Sequence, residues 1–167
     1  TATDIKSYSG SGASRTYDSN YNEYSQDTFT IPSDLKWVYA VLIGGGGGGN
    51  GVGSGDGGGG GGFAFAKLDL RSYSGQSLFA YSGKGGNQYT SGTDSYLTIG
   101  GTEVIRATGG QGGYFNNSSG FVGNTWPGGY ATIDESHGSY IYGVRDRGGD
   151  GSNNGDGTAG ATGGGPN

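Results

Sequence analysis

Two runs of six consecutive glycines, residues 44–49 and 57–62, constrain what this chain can fold into more than any other feature of it. Glycine loses more backbone freedom on folding than any other residue, about 0.5 to 1 kcal/mol per position against alanine, so an ordered tract needs contacts that only glycine permits. One geometry supplies them. The left-handed polyproline II helix has three residues per turn and no internal hydrogen bonds, which leaves its amides free for neighbours. Bare of side chains, such helices can lie side by side and bond to one another. Six residues at about 3.1 Å each reach roughly 19 Å, the length of an ordinary strand. The tracts therefore read as two antiparallel polyglycine II rods, with residues 50–56 turning between them. A flexible linker is the competing reading. Hydrophobic runs, WVYAVLI before the first tract and FAFAKLDL after the second, argue against it.

The rest of the composition fits a domain that is poor in aliphatic core. Apolar residues make up 30% of the 167, against 43 glycines and 13 tyrosines, so buried area must come from aromatics and from close backbone packing. No run approaches the roughly 18 apolar residues of a membrane span, so no membrane insertion is expected. Cysteine is absent, which excludes disulfides and thiolate metal sites. Methionine is absent too, and the start Thr1-Ala2-Thr3 suggests a processed product or an excised piece. Fourteen acidic and nine basic residues give a net charge of −5 without a basic stripe, which argues against nucleic acid as a partner.

Along the chain, residues 1–28 are polar and tyrosine-rich and read as a segment leading in from a preceding module. Residues 29–167 read as one glycine-rich domain. A short strand over 29–32 is closed by Pro32, and Ser33-Asp34 give a turn. Residues 37–43 are apolar on both faces, which predicts a central strand. Residues 63–70 alternate, with Ala64, Ala66, Leu68 and Leu70 on one face and Phe63, Phe65, Lys67 and Asp69 on the other. Further strands are expected over 77–82, 95–99 and 103–107, the last two joined by the hairpin dipeptide Gly100-Gly101. No segment carries a helical period. From Gly148 a threefold glycine beat returns at Gly148, Gly151, Gly157, Gly160 and Gly163, the period of a polyglycine helix. The fold class that follows is all-β, with short antiparallel strands packed with a polyglycine II bundle and no significant α-helix.

Several chemical motifs fail on physical grounds. The glycines after residue 43 formally satisfy G-x-G-x-x-G, but a dinucleotide site needs a helix N-terminus there, and more glycine follows. His137, the only histidine, lies beside Asp134, Glu135 and Ser139 without a G-x-S-x-G elbow. Asp134 and Glu135 are adjacent and point apart in a strand, which suits a glycosidase poorly. GGDGSNNGDG is like a single turn of a calcium-binding repeat, whose ions are shared between stacked turns. The reading is a protein without catalytic residues, cofactor or metal.

Four segments together carry a resemblance: FTIPSDLKWVYAVLIGGGGGG, GGGGGGFAFAKLDL, GQSLFAYSGKGG and DSYLTIGGTEVIRATGGQGG. In content and order they resemble the glycine-rich domain at the tips of bacteriophage tail fibres and related trimeric adhesive fibres. The likeness covers residues 29–113 well and 148–167 loosely. It implies a homotrimer on a virion tail fibre or an extracellular cell-surface fibre, recognising a bacterial surface glycan or outer-membrane protein. The aromatic insertion at 114–147 departs from that pattern. Its mixture of aromatics and charges suits sugar faces and hydroxyls or a protein receptor, so Tyr114, Phe115, Trp126, Tyr130, Asp134, Glu135, His137, Tyr140, Tyr142 and Arg145 are the expected ligand contacts. An ice-binding or purely structural glycine-rich protein is the alternative, and it calls for a flat, regular face.

Overall fold

The computed structural model describes residues 16–17, 23–49, 56–113 and 126–151. Among these residues nine strands form: β1 (Thr16–Tyr17), β2 (Glu23–Thr30), β3 (Trp37–Ile43), β4 (Phe63–Asp69), β5 (Ser77–Ser82), β6 (Ser95–Ile99), β7 (Thr102–Ala107), β8 (Ala131–Ile133) and β9 (Tyr140–Asp146). They make two antiparallel sheets, one ordered β1-β2-β5-β6-β7-β8 and one ordered β3-β4-β9. The described helical structure is one 3-10 turn, Arg71–Tyr73. β2 begins at Glu23, so it joins residues on both sides of the boundary read at position 28.

The two sheets pack face to face through β3 and β4 against β6, β7 and β8. The alternation of residues 63–70 places Ala64, Ala66, Leu68 and Leu70 wholly inside, opposite Leu97, Ile99, Val104, Ile105 and Ile133. Alanines at two of the four inward positions let the sheets approach closely, which is how a chain short of aliphatics still closes a core. The hairpin at Gly100-Gly101 forms as the dipeptide demands, with φ of 57° and 82°.

One strand departs from its expected place. β3 lies at an edge of the three-stranded sheet, and only Ala40 and Leu42 of its length are buried. Its other face, Trp37, Tyr39, Val41 and Ile43, is 48–60% exposed. An apolar run tells which side chains shun water and not whether the same chain supplies the cover.

Beyond the sandwich the chain continues into an array of glycine-rich segments joined to one another by main-chain hydrogen bonds. The amides of Gly44 and Gly47 donate to the carbonyls of Gly62 and Gly59, so the two tracts pair antiparallel. Those of Gly45 and Gly48 donate to Thr93 and Thr90, and the carbonyls of Gly45 and Gly48 accept from Gly110 and Gly113. Every third residue thus faces the same neighbour. A sheet strand has neighbours on two sides; segment 44–49 bonds to stretches near Gly59, Gly86, Thr90 and Gly110, so bonds leave it in several directions. Glycine is needed here for space, because positive φ among the described glycines is confined to Gly75, Gly100 and Gly101. A Cβ at Gly44, Gly47, Gly61 or Gly110 would drive into the carbonyl oxygen of Thr108, Gln111, Gly44 or Gly59. At Gly46, by contrast, the nearest atom to a Cβ would be 3.8 Å away.

Candidate binding surface at the far end of the glycine array

The hydrogen-bond registers give the array two ends. At one, Gly44, Gly62, Thr108 and Tyr130 adjoin β3, β4, β7 and β8. At the other, Gly48 bonds Thr90 and Gly113, while Trp126 and Gly151 exchange both of their backbone hydrogen bonds, at 3.2 and 2.8 Å. Gly49 lies beside Asp56 at this same end. Gly49, Asp56, Gly113 and Trp126 therefore share this pole with the turn over residues 87–90.

Side chains secure the array to the sandwich and along its length. Ser95, buried, accepts the amide of Gly83 at 2.8 Å and donates to the carbonyl of Ile43 at 2.6 Å. Asp94 accepts the amide of Gly109 at 3.0 Å and the guanidinium of Arg106 at 2.7 Å. Arg106 also pairs with Glu103, and these hydrogen bonds push its pKa up. Toward the far pole, Asp150 accepts the amide of Gly128 at 2.9 Å and pairs with Arg147 at 2.5 Å. The Asp94 and Asp150 carboxylates thereby satisfy backbone donors that glycine packing would otherwise strand.

At the far pole the turn over 87–90 is closed by the amide of Thr90 donating to the carbonyl of Asn87 at 2.9 Å, with the Thr90 hydroxyl doing the same. Tyr89 in this turn is 40% exposed and has φ of 64°, a left-handed conformation that is costly for a bulky side chain, by about 1–2 kcal/mol. Trp126, half-buried, carries a buried indole N–H without a hydrogen-bond partner among the described residues. Two aromatic rings on a rigid main-chain platform can stack on the C–H face of a sugar or on an apolar side chain of a protein.

A sequence model for the glycine-rich domain matches residues 9–167, nearly the whole chain. The chain belongs to the glycine-rich domain family. Searches of curated proteins and of solved structures return no match.

This glycine-rich domain does not gather the eight described residues of the ten expected contacts into one surface. Trp126 lies at the far pole, and Tyr130, 60% exposed, at the sandwich end of the same segment. Asp134, Glu135 and His137 occupy the β8–β9 turn at the opposite pole. Residues 130–133 and 140–142 do not pair with each other: β8 joins β7, and β9 joins β4. Glu135 pairs with Arg145 at 2.9 Å. The Asp134 carboxylate accepts the Ser136 hydroxyl at 2.6 Å and the Ser136 amide at 3.0 Å, and that hydroxyl is the main reason its pKa is lowered. His137 stacks on Tyr73 with ring centres 5.2 Å apart, and its Nδ1 lies 2.8 Å from the hydroxyl of Ser139, which is fully buried. A histidine held this way serves the turn. Tyr140 packs against the core, whereas Tyr142 faces out beside Phe65. Tyr114 and Phe115 lie outside the described residues, as does the glycine beat beyond Gly151.

Tyr89 was not among the expected contacts. Its signal in the sequence is slight, a lone aromatic in the polar turn Asn87-Gln88-Tyr89-Thr90 after two glycines. Among the described residues, no three His, Cys, Asp or Glu converge as a metal site, and no helix is long and apolar enough to cross a membrane.

Proposed function

We propose that this glycine-rich domain is the receptor-recognising terminal domain of an adhesive fibre, similar to a bacteriophage tail-fibre tip. In this reading it works without catalysis, as a homotrimer on a virion tail fibre or an extracellular fibre, and takes a bacterial surface glycan or outer-membrane protein. The glycine segments are polyglycine II helices, a reading supported by hydrogen bonds that return to the same neighbour every third residue.

The observation that carries the proposal is a turn bearing an exposed aromatic, Tyr89, together with Trp126 at one pole of a platform held by its own backbone. Recognition usually sits on loops that a stiff scaffold positions, because little ordering entropy is then lost on binding. A residue strained into positive φ at that pole, Tyr89, is the kind of local cost that persists where a side chain has to be aimed.

The test is adsorption of the domain to bacterial cells. Tyr89→Gly keeps the backbone conformation and removes the ring, and Trp126→Ala removes the second ring. Each should weaken binding by about 30-fold or more, the effect of losing an aromatic anchor, while circular dichroism keeps the strand signal. Unchanged adsorption of both folded variants would move the site away from this pole.

A further inference from the structure

The three-stranded sheet turns an apolar face to solvent. Trp37, Tyr39, Val41 and Ile43 from β3 are 48%, 57%, 60% and 56% exposed, and Tyr142 and Val144 from β9 are 46% and 55% exposed. Phe65 lies between them, 6.1 Å from Tyr39 and 5.9 Å from Tyr142, centre to centre. The outer face of an antiparallel sheet is ordinarily its polar face. The six-stranded sheet shows the contrast. Its outward Tyr96 stacks on Tyr81 at 5.0 Å and lies under the Arg106 guanidinium at 4.9 Å, and Arg106 is in turn ion-paired. Among the described side chains of the two sheets, exposed apolar area is thus concentrated on one face of the sandwich.

Its size is that of an interface. Six side chains, each about half exposed and offering roughly 100 Å² apiece, present about 600 Å², at the top of the range for a patch on a lone monomer. Around a threefold axis each copy shares this area between two neighbours, about 300 Å² to each, so the apolar face forms the centre of the contact and the surrounding rim adds the rest of the roughly 800 Å² per partner that a stable interface takes.

We infer that further copies of this chain cover this face, three copies packing around an axis that runs along the strands. The inference rests on the trimeric part of the proposed function and locates where the copies meet. The register favours it. Tyr39, Lys67 and Tyr142 form one row across the sheet, and Val41, Phe65 and Val144 the next. A rotation axis along the strands keeps every row at its own height. Tyr39 of one copy then meets Tyr142 of the next, Val41 meets Val144, and Phe65 points to the middle. Charge is compatible with this. Lys67 lies over the rings of Trp37 and Tyr39 at 5.2 and 5.5 Å, so its charge is held against aromatic faces of the same sheet. A chain of net charge −5 has no long-range attraction for its own copies, and the contact must be driven by apolar burial.

Sedimentation equilibrium of the full chain tests this, with Val41→Asp and with Val41→Cys. The wild type should have the mass of three chains and Val41→Asp that of one, both with the same strand signal. Because the chain has no cysteine, Val41→Cys is a unique thiol. In the trimer its labelling should be about tenfold slower than that of Thr102→Cys at the exposed start of β7, since association protects by mass action. This measurement stands even if the aspartate variant fails to fold. A wild type of any other mass, a trimer that survives Val41→Asp, or equal labelling at the two thiols would overturn the inference. Cell adsorption separates it from the adhesin reading. A monomer that adsorbs removes the interface and keeps the adhesin; a trimer that never adsorbs does the reverse.

Discussion

The sandwich and the glycine array lie end to end in one chain and cohere by opposite means. In the sandwich, Leu68, Leu70, Ile99 and Ile105 fill the space between sheets, and the backbone bonds only within each sheet. In the array the backbone bonds outward in several directions, and side chains are kept out because the carbonyl of one segment occupies the place where a Cβ of the next would be. The comparison shows that tolerance to substitution is reversed between the two. A core is damaged by losing atoms and an array by gaining them.

The largest effect should come from adding atoms where the array is tightest. Gly47→Val directs a branched side chain at the carbonyl of Gln111 and should cost about 4 kcal/mol or more, from overpacking together with lost hydrogen bonds of about 1 kcal/mol each. Chemical denaturation should find the variant unfolded or nearly so. A midpoint close to wild type would mean that the segments are not closely packed. Removing atoms from the sandwich comes next. Leu68→Ala, at a wholly buried position, should lose about 2–5 kcal/mol by the same measurement.

Two glycine-to-alanine changes sharpen the contrast. At Gly101 a Cβ meets nothing within 4 Å, but φ is 82°, so Gly101→Ala should cost about 1–2 kcal/mol through conformation alone. At Gly46, inside the array yet with 3.8 Å to the nearest atom, alanine should stabilise by about 0.4–1 kcal/mol by restricting the unfolded chain. If Gly46→Ala were as damaging as Gly47→Val, space would not be what the array requires of its glycines.

The smallest effect is a titration at the sandwich surface. Asp69 receives hydrogen bonds from the Arg71 side chain and amide, which lower its pKa from the ordinary 3.8 to about 2. A carboxyl depressed in the folded state contributes stability above its ordinary pKa, and that contribution disappears as pH falls from about 4 toward 2. Carboxyl NMR should place its midpoint near 2, and Arg71→Ala should return it to the ordinary range.

Much of this was legible in the sequence because it depends on neighbours along the chain. The alternation at 63–70, the Gly100-Gly101 hairpin and the beat linking Gly148 to Gly151 follow from strand pleat, turn chemistry and a period of three. What depends on distant partners was not legible. β8 and β9 are separated by a short turn, yet they enter different sheets, and nothing local to Ala131 or Tyr140 specifies that. The candidate site suffered most. Aromatic and charged content marked residues 114–147 without distinguishing Trp126, at the array's far pole, from His137, which the β8–β9 turn holds by stacking and a hydroxyl. Tyr89 was not singled out within its loop because what distinguishes it is a dihedral angle, which composition does not reveal.

The balance of buried surface in the array has a calorimetric consequence. Exposing apolar surface on unfolding raises the heat capacity, while exposing amides and carbonyls lowers it. An array that buries main-chain polar groups and almost no hydrocarbon should contribute little to that change or even reduce it. The whole domain should then fall below the roughly 12–15 cal/mol/K per residue of ordinary globular proteins. Its stability curve should be correspondingly flat, holding a similar margin from near freezing to well above body warmth.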